Sequence, residues 1–326
     1  MNLRIACGEA TRDLATTVSV ALGAGPVMGQ VERFPDGELR PAVSGVRGDD
    51  VYVVQSTGPP VNDCLVELLL LIDACRRAGA GRVTAVVPYF GYARQDRRTR
   101  DGQGIGARVA AAAIVAAGAD RSVVIDPHSA AFEAMFAVPV EVLTAVAAIA
   151  DTLVRGVTPD AVVVAPDLGA VKLAERYASL LGLSVVIVRK TRVSGSAVRA
   201  EELVGHVDGR PAIVVDDMIS TGATIEAAVE LLLANGARRE VTVAATHGLF
   251  VGDAVDRLRR LPLGRLVVTD SLGGTQSLGL PVEVASIAMT LTTAIDRLHR
   301  NQSVDERHCC VERAPAWSQQ GSCLGH

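Results

Sequence analysis

The sequence predicts an α/β protein of two domains, each a mainly parallel sheet covered by helices. Three observations lead there. At 326 residues the chain exceeds what one hydrophobic core ordinarily serves. Hydrophobic residues make up 49% of it and aromatic ones only 3%, so its cores must be built from Ala, Val, Leu and Ile, as in strands buried on both faces. Short runs rich in Val and Ile alternate with helical patterns along the whole length, which is the rhythm of wound parallel sheets.

The opening segment, MNLRIACGEATRDL, puts Arg4, Glu9, Arg12 and Asp13 where an export signal needs an apolar stretch. The first strand-like run is DDVYVVQS (49–56), and a helical pattern over 62–78 follows the Pro59–Pro60 stop. GRVTAVVPY (81–89) is the next strand, with a helix over 106–117 behind it. The longest apolar run, 109–117, lies between Arg108 and Asp120 and is too short to span a bilayer. RSVVID (121–126) completes the first set. The alternation breaks over 137–160, which places one domain at 1–145 and a second at 146–300. In the second, AVVVAPD (161–167), LSVVIVRK (183–190), RPAIVVDD (210–217) and REVTVAAT (239–246) alternate with helices over 170–181 and 223–234, the latter ended by Gly236. Residues 301–326 read as a disordered tail of mixed polar composition.

Thirty-two basic against 36 acidic residues leave a net charge of -4, with no basic excess for general nucleic-acid binding. With neither an export signal nor a membrane span, the expected location is cytoplasmic. Cys7, Cys64 and Cys75 sit in apolar contexts and read as reduced core residues. Cys309, Cys310 and Cys323, with His308 and His326, lack paired CxxC spacing and read as part of the tail rather than a metal cluster.

Ligands of open α/β sheets gather beyond the carboxyl ends of strands, and four such ends carry unusual chemistry. Val214-Val215-Asp216-Asp217-Met218-Ile219-Ser220-Thr221-Gly222-Ala223-Thr224 runs from an apolar strand through two carboxylates into a Ser/Thr/Gly loop that opens a helix. Free N–H groups and hydroxyls there suit a phosphate, and the acids suit sugar hydroxyls; a plain strand, turn and helix cap is the alternative. RSVVIDPHS ends in Asp126 and His128, and AVVVAPDLGAV ends in Asp167 before Gly169-Ala170. Lys190 and Arg192 alternate after an apolar strand, so they share a side and can clamp a phosphoryl group. RFPDGELR (33–40) read alone is turn chemistry. Residues 93–106 form a basic, glycine-rich loop, and its Gly102-Gln103-Gly104-Ile105-Gly106 is no dinucleotide fingerprint, because the charged RQDRRTRD precedes it instead of a strand. No GxxxxGK[ST] string is present, which excludes a conventional P-loop.

The 214–224 segment resembles the phosphoribosyl-binding signature of the type I phosphoribosyltransferase fold, shared by enzymes that consume phosphoribosyl diphosphate and by the synthetase that makes it. RFPDGELR, QSTGPPVND (55–63) and PYFGYARQDRR (88–98), in that order, are similar to ribose-phosphate diphosphokinase, and the likeness runs from about residue 3 to residue 300. The resemblance implies two phosphoribosyltransferase-like domains and transfer of the diphosphate of Mg-ATP to the 1-hydroxyl of ribose 5-phosphate. It implies that Phe34, Asp36, Gly37 and Glu38 of one subunit and Arg94, Gln95 and Asp96 of another hold ATP, in a homo-oligomer of at least two and, in this family, six subunits. It further implies that Asp216 and Asp217 face the ribose hydroxyls, that Ser220, Thr221, Gly222, Ala223 and Thr224 hold the 5-phosphate, and that His128 and Asp167 belong to a Mg²⁺ site. Lys190 becomes the main catalytic cation, with Arg192 on substrate phosphate. A phosphoribosyltransferase and a non-catalytic regulatory homologue remain as alternatives; the second predicts damage at His128, Asp167, Lys190 and Arg192, all of which are present.

The family pattern also carries serine-rich segments of a phosphate and ADP regulatory site. Here the matching segments read Ser44-Gly45-Val46-Arg47, Ala78-Gly79-Ala80-Gly81-Arg82 and Ser303-Val304-Asp305-Glu306-Arg307. Glycines replace hydroxyl donors and two acids enter, so weak ADP regulation is expected, with Arg47 and Arg82 as the remaining sources of anion attraction.

Overall fold

The computed structural model describes residues 1–192, 198–274 and 279–304, without the side chains of residues 130, 190–192 and 198–201. The chain falls into two compact units. Unit 1 comprises Met1–Thr144, Ser271–Gly273 and the described residues from Ser286 on; unit 2 comprises Ala145–Asp270 and the described part of Gly274–Ala285.

Unit 1 runs β1 (Leu3–Cys7), α1 (Arg12–Leu22), β2 (Gln30–Arg33), β3 (Leu39–Ala42), β4 (Asp50–Val54), α2 (Val61–Arg77), β5 (Arg82–Val87), α3 (Gly106–Ala117), β6 (Arg121–Ile125) and β7 (Val140–Leu143). Five strands form one sheet in the order β1-β4-β5-β6-β7, every pair parallel, while β2 and β3 make a separate antiparallel hairpin. β4 is buried at all five positions, which explains its apolar run from Val51 to Val54. Cys64, Leu68, Leu71, Ile72 and Cys75 form the buried stripe of α2, at the spacing one helical face requires. Leu68, Leu71, Ile72 and Cys75 share a core with Val51, Val53, Val83, Ala85, Ile114 and Phe132. Cys7, Cys64 and Cys75 are free and buried, and burial pushes the Cys75 thiol up to about 12.

Unit 2 runs α4 (Val146–Leu153), β8 (Val162–Ala165), α5 (Val171–Leu181), β9 (Ser184–Arg192), β10 (Val198–Val204), β11 (Ala212–Ile219), α6 (Ala223–Ala234), β12 (Val241–Gly248), α7 (Ala254–Arg260), β13 (Leu263–Thr269) and β14 (Val282–Ala285). Its seven strands lie in the order β10-β9-β8-β11-β12-β13-β14. Only the β9/β10 pair is antiparallel. Val162, Val164, Val214, Val243 and Val268 line its core under Ile225, Val229 and Leu232 of α6.

The expected extent of the second domain, 146–300, is corrected at its far end. Helix α8 (Ala288–His299) follows β14 but packs against α1 in unit 1, burying Ala288, Leu291, Ala294, Ile295 and Leu298. Conversely, α4 follows β7 of unit 1 and packs against β13 of unit 2, with Val146, Ile149, Ala150 and Leu153 buried. Each unit thus ends in a strand whose following helix belongs to the other. An apolar stripe shows that a helix will be covered, not which sheet covers it. The tail from residue 305 lies outside the described residues, so its expected disorder is not addressed. Among the described residues no helix is long and apolar enough to cross a membrane.

Candidate functional site

The carboxyl end of β11 is the most developed site in unit 2. Asp216 and Asp217 are half-buried there, and the Asp217 N–H donates to Asp216 Oδ1 at 2.9 Å. Burial holds the Asp216 carboxyl well above the ordinary carboxylate range, and the neighbouring charges of Asp217 and Asp167 push it the same way. Beyond the strand, Gly222 stands at φ +77° as the N-cap of α6. Only glycine takes that backbone without strain. The N–H groups of Thr221, Gly222, Ala223 and Thr224 have no acceptor among the described residues, and the hydroxyls of Ser220, Thr221 and Thr224 make no hydrogen bond there. Open donors at the positive end of a helix are the chemistry that suits an anion. Val251 and Leu249 hold the other edge, their N–H groups donating to the carbonyls of Ser220 at 3.0 Å and Ile219 at 2.9 Å.

Asp167 follows β8, the neighbour of β11 in the sheet. Its Oδ1 accepts from the N–H groups of Gly169 at 2.9 Å and Ala170 at 3.2 Å, so this carboxylate shapes its own loop while its charge reaches Asp216. His128 belongs to unit 1, exposed after β6, where Asp126 takes a left-handed φ of +38° that is uncommon for a non-glycine residue. Among the described residues no three His, Cys, Asp or Glu side chains gather as a metal cage. The backbones of Lys190 and Arg192 lie in β9, paired with Ala200 and Val198 of β10; their side chains are outside the description.

In unit 1, Phe34, Asp36, Gly37 and Glu38 form the tip of the β2–β3 hairpin. The Phe34 N–H donates to the Glu38 carbonyl at 2.8 Å, the Gly37 N–H to the Phe34 carbonyl at 2.9 Å, and the Glu38 N–H to Asp36 Oδ1 at 3.1 Å. The tip is therefore a self-contained turn, as Pro-Asp-Gly chemistry implies, with the Glu38 side chain left in solvent. The Arg40 guanidinium lies over the Phe34 ring at 4.9 Å, so a cation already covers one face of the aromatic ring.

Arg94, Gln95 and Asp96 lie beyond β5. The chain reaches them through Tyr92, which is held at φ +68°. The Gln95 N–H donates to the Tyr92 carbonyl at 2.8 Å, and the Gln95 carbonyl accepts from Ala107 at the start of α3. Arg94 is exposed and makes no ion pair among the described residues. The rest of the 93–106 loop is gathered by Gln103, whose Oε1 accepts from Thr99 Oγ1 at 2.8 Å and from the N–H groups of Thr99 and Arg100.

Arg82, one of the two arginines expected to attract an anion, is ion-paired within unit 1. Its guanidinium donates from Nε to Asp50 Oδ1 at 2.7 Å and from Nη2 to Asp50 Oδ2 at 2.5 Å, while Nη1 reaches Asn301 Oδ1 at 2.9 Å. His299 Nδ1 lies 2.7 Å from the same carboxylate, which is 0% exposed. Arg82 is thus paired with a buried internal charge, which weakens the attraction it could offer a regulatory anion. Arg47 remains exposed. Asp305 and Glu306 lie outside the described residues.

Residues 3–118 match the family model described as the N-terminal domain of ribose phosphate pyrophosphokinase, and residues 196–307 match the phosphoribosyl synthetase-associated domain. Over 309 residues the chain is 43% identical to the ribose-phosphate pyrophosphokinase of Rhodopirellula baltica, covering 93% of this chain and 98% of that one. It is 38% identical over 304 residues to that of Aquifex aeolicus, covering 93% and 97%. Among solved structures, phosphoribosylpyrophosphate synthetase from Mycobacterium smegmatis matches with a TM-score of 0.85 at 37% identity, over 92% of this chain and 100% of that one.

Proposed function

Because this chain belongs to the ribose-phosphate pyrophosphokinase family, a family of transferases, we propose that it makes 5-phospho-α-D-ribose 1-diphosphate from ribose 5-phosphate and Mg-ATP, releasing AMP. The observation that carries this reading is the end of β11, where two carboxylates adjoin four N–H groups without acceptors, in a chain that also bears FPDGE and ARQD on the loops of unit 1. A sugar hydroxyl pair and a terminal phosphate are the ligand chemistry that such a strand end recognises.

In this reading Asp216 and Asp217 accept from the ribose 2- and 3-hydroxyls, and Ser220 to Thr224 hold the 5-phosphate. Phe34 offers an aromatic face to adenine, Glu38 an acceptor for its amino group, and Arg94, with Gln95 and Asp96, lies along the triphosphate. The 1-hydroxyl oxygen attacks the β-phosphorus in line. A ribose O1–phosphorus bond forms, the bond from the β-phosphorus to the α–β bridging oxygen breaks, and AMP leaves. Lys190 and Arg192 neutralise charge that grows on the transferred group. Mg²⁺ suits this donor set, since it prefers oxygen, and burial together with the charges of Asp217 and Asp167 raises the Asp216 carboxyl, a penalty that a cation would relieve. Asp167 and His128 would be its protein partners, and when bound it would supply charge neutralisation on the phosphates of ATP. Self-association into a homo-oligomer follows from ATP residues contributed by two subunits.

The deciding experiment incubates the protein with ribose 5-phosphate and Mg-ATP, with no nucleobase present, and identifies products by mass spectrometry. AMP and phosphoribosyl diphosphate in a 1:1 ratio are expected. ADP as the nucleotide product refutes diphosphoryl transfer, and a requirement for a base returns the chain to the phosphoribosyltransferase reading.

A further inference from the structure

The two units repeat one local sequence and use it in opposite ways. β4 lies between β1 and β5 in its sheet as β11 lies between β8 and β12 in the other. Ser56-Thr57-Gly58 follows β4 as Ser220-Thr221-Gly222 follows β11, and a helix comes next in both. In unit 2 the loop leaves its donors open. In unit 1 its donors are buried and taken up: Ser56 and Thr57 are 0% and 1% exposed, and Pro59 and Pro60 supply no N–H at the start of α2. Ser56 Oγ accepts from the Tyr89 N–H at 3.0 Å and donates to the Ser271 carbonyl at 2.6 Å. Thr57 Oγ1 accepts from the Gly91 N–H at 2.6 Å, and the Thr57 N–H donates to the Tyr89 carbonyl at 2.9 Å. The fit is close enough that a Cβ on Gly91 would stand 2.4 Å from the Thr57 carbonyl oxygen.

What this loop grips is the stem of the ARQD segment. Tyr89 to Gly91 are clamped, the chain turns at Tyr92 through its left-handed φ, and Arg94, Gln95 and Asp96 follow within one turn. We infer that Thr57, with Ser56 beside it, is a positioning residue for ATP: its hydroxyl fixes the residue 89–91 backbone from which Arg94 and its neighbours project. A loop that holds substrate in one unit holds the protein's own chain in the other. The inference rests on the assignment of Arg94–Asp96 to ATP made above.

The test is steady-state kinetics on Thr57→Val, Thr57→Ser, Ser56→Ala and Arg94→Ala in the full chain. Valine keeps the shape of threonine and leaves the Gly91 N–H without its acceptor, so the KM for ATP should rise on the order of tenfold. The KM for ribose 5-phosphate should stay within about twofold, because that ligand's loop is in unit 2. Thr57→Ser restores the acceptor and should return the ATP value to normal. Ser56→Ala, milder because Tyr89 keeps its bond to Thr57, should show a smaller rise of the same selectivity and serves if Thr57→Val does not fold. Equal effects on both substrates, no effect in a folded Thr57→Val or Ser56→Ala protein, or failure of serine to rescue would overturn the inference. If Arg94→Ala itself leaves ATP kinetics unchanged, the ATP assignment fails instead.

Discussion

Replacing Arg82 with leucine separates a structural ion pair from an anion-binding arginine. Asp50 is wholly buried, and both of its oxygens accept from Arg82. Removing the guanidinium leaves a carboxylate in the interior with only His299 at 2.7 Å and the Tyr52 hydroxyl at 3.3 Å. Breaking a buried pair from one side costs about 3–5 kcal/mol. Arg82 keeps 23% of its side chain exposed, so the lower end, about 3 kcal/mol, applies, or roughly 10 °C in Tm for units of this size. Burial works against ionisation of Asp50, but hydrogen bonds from Arg82 and then His299 outweigh it and hold the carboxyl below its usual range. A depressed carboxylate contributes stability above its unfolded value, about pH 3.9, and loses it as pH falls through the folded one. Urea unfolding of wild type and Arg82→Leu should therefore differ fully at pH 7 and converge only as pH falls below about 4 and through the lower folded value. Adding Asp50→Asn to Arg82→Leu should recover part of the loss. A difference under about 1 kcal/mol at pH 7, or a loss of stability seen only when phosphate is present, refutes this account.

Gly222→Ala adds a methyl that meets Ala254 at an ordinary 3.6 Å, so its cost is the left-handed backbone, about 1–2 kcal/mol. The KM for ribose 5-phosphate should rise on the order of tenfold with that for ATP unchanged, as substrate-variation kinetics would read. Asp216→Asn should abolish activity yet stabilise the ligand-free protein at pH 7 on the order of 1 kcal/mol. Because the Asp216 pKa is raised, its penalty is absent below the unfolded value and grows as pH rises, so melting curves of the two proteins should coincide near pH 3. Inactive Phe34→Ala and Arg94→Ala proteins, mixed and reassembled, should regain part of the activity; none after proven subunit exchange would make the ATP site self-contained. At saturating ATP, an ADP series with and without phosphate should show little residual inhibition, and strong sigmoidal inhibition would show that the regulatory site works without Arg82.

The buried strands and most of their flanking helices are legible in the sequence because burial on both faces demands unbroken Val and Ile, and nothing else in the chain looks like that. The strand end at 214–224 is legible for the same reason: two adjacent acids and a Ser-Thr-Gly loop after such a run have few other uses. Shorter elements escape. β7 and β14 have four residues each and an exposed valine apiece, Val142 and Val284, so their apolar pattern is too brief to stand out. The repeat of Ser-Thr-Gly after β4 could have been found by comparing the two halves, but not its meaning, since the same three residues leave their donors open in one place and bond them inward in the other.

Sequence alone determined the two-sheet α/β architecture and the family and singled out the candidate segments, because these depend on local composition and order. Tertiary structure decided which unit each terminal helix completes, that Arg82 is committed to Asp50, and that Ser56 and Thr57 grip residues 89–91. All three are pairings between residues more than thirty positions apart, reaching 216 positions for Arg82 with Leu298 and 249 for Asp50 with His299. Such pairings are set by which buried donor finds which acceptor once the sheets have formed, and hydrophobic periodicity carries no record of that choice.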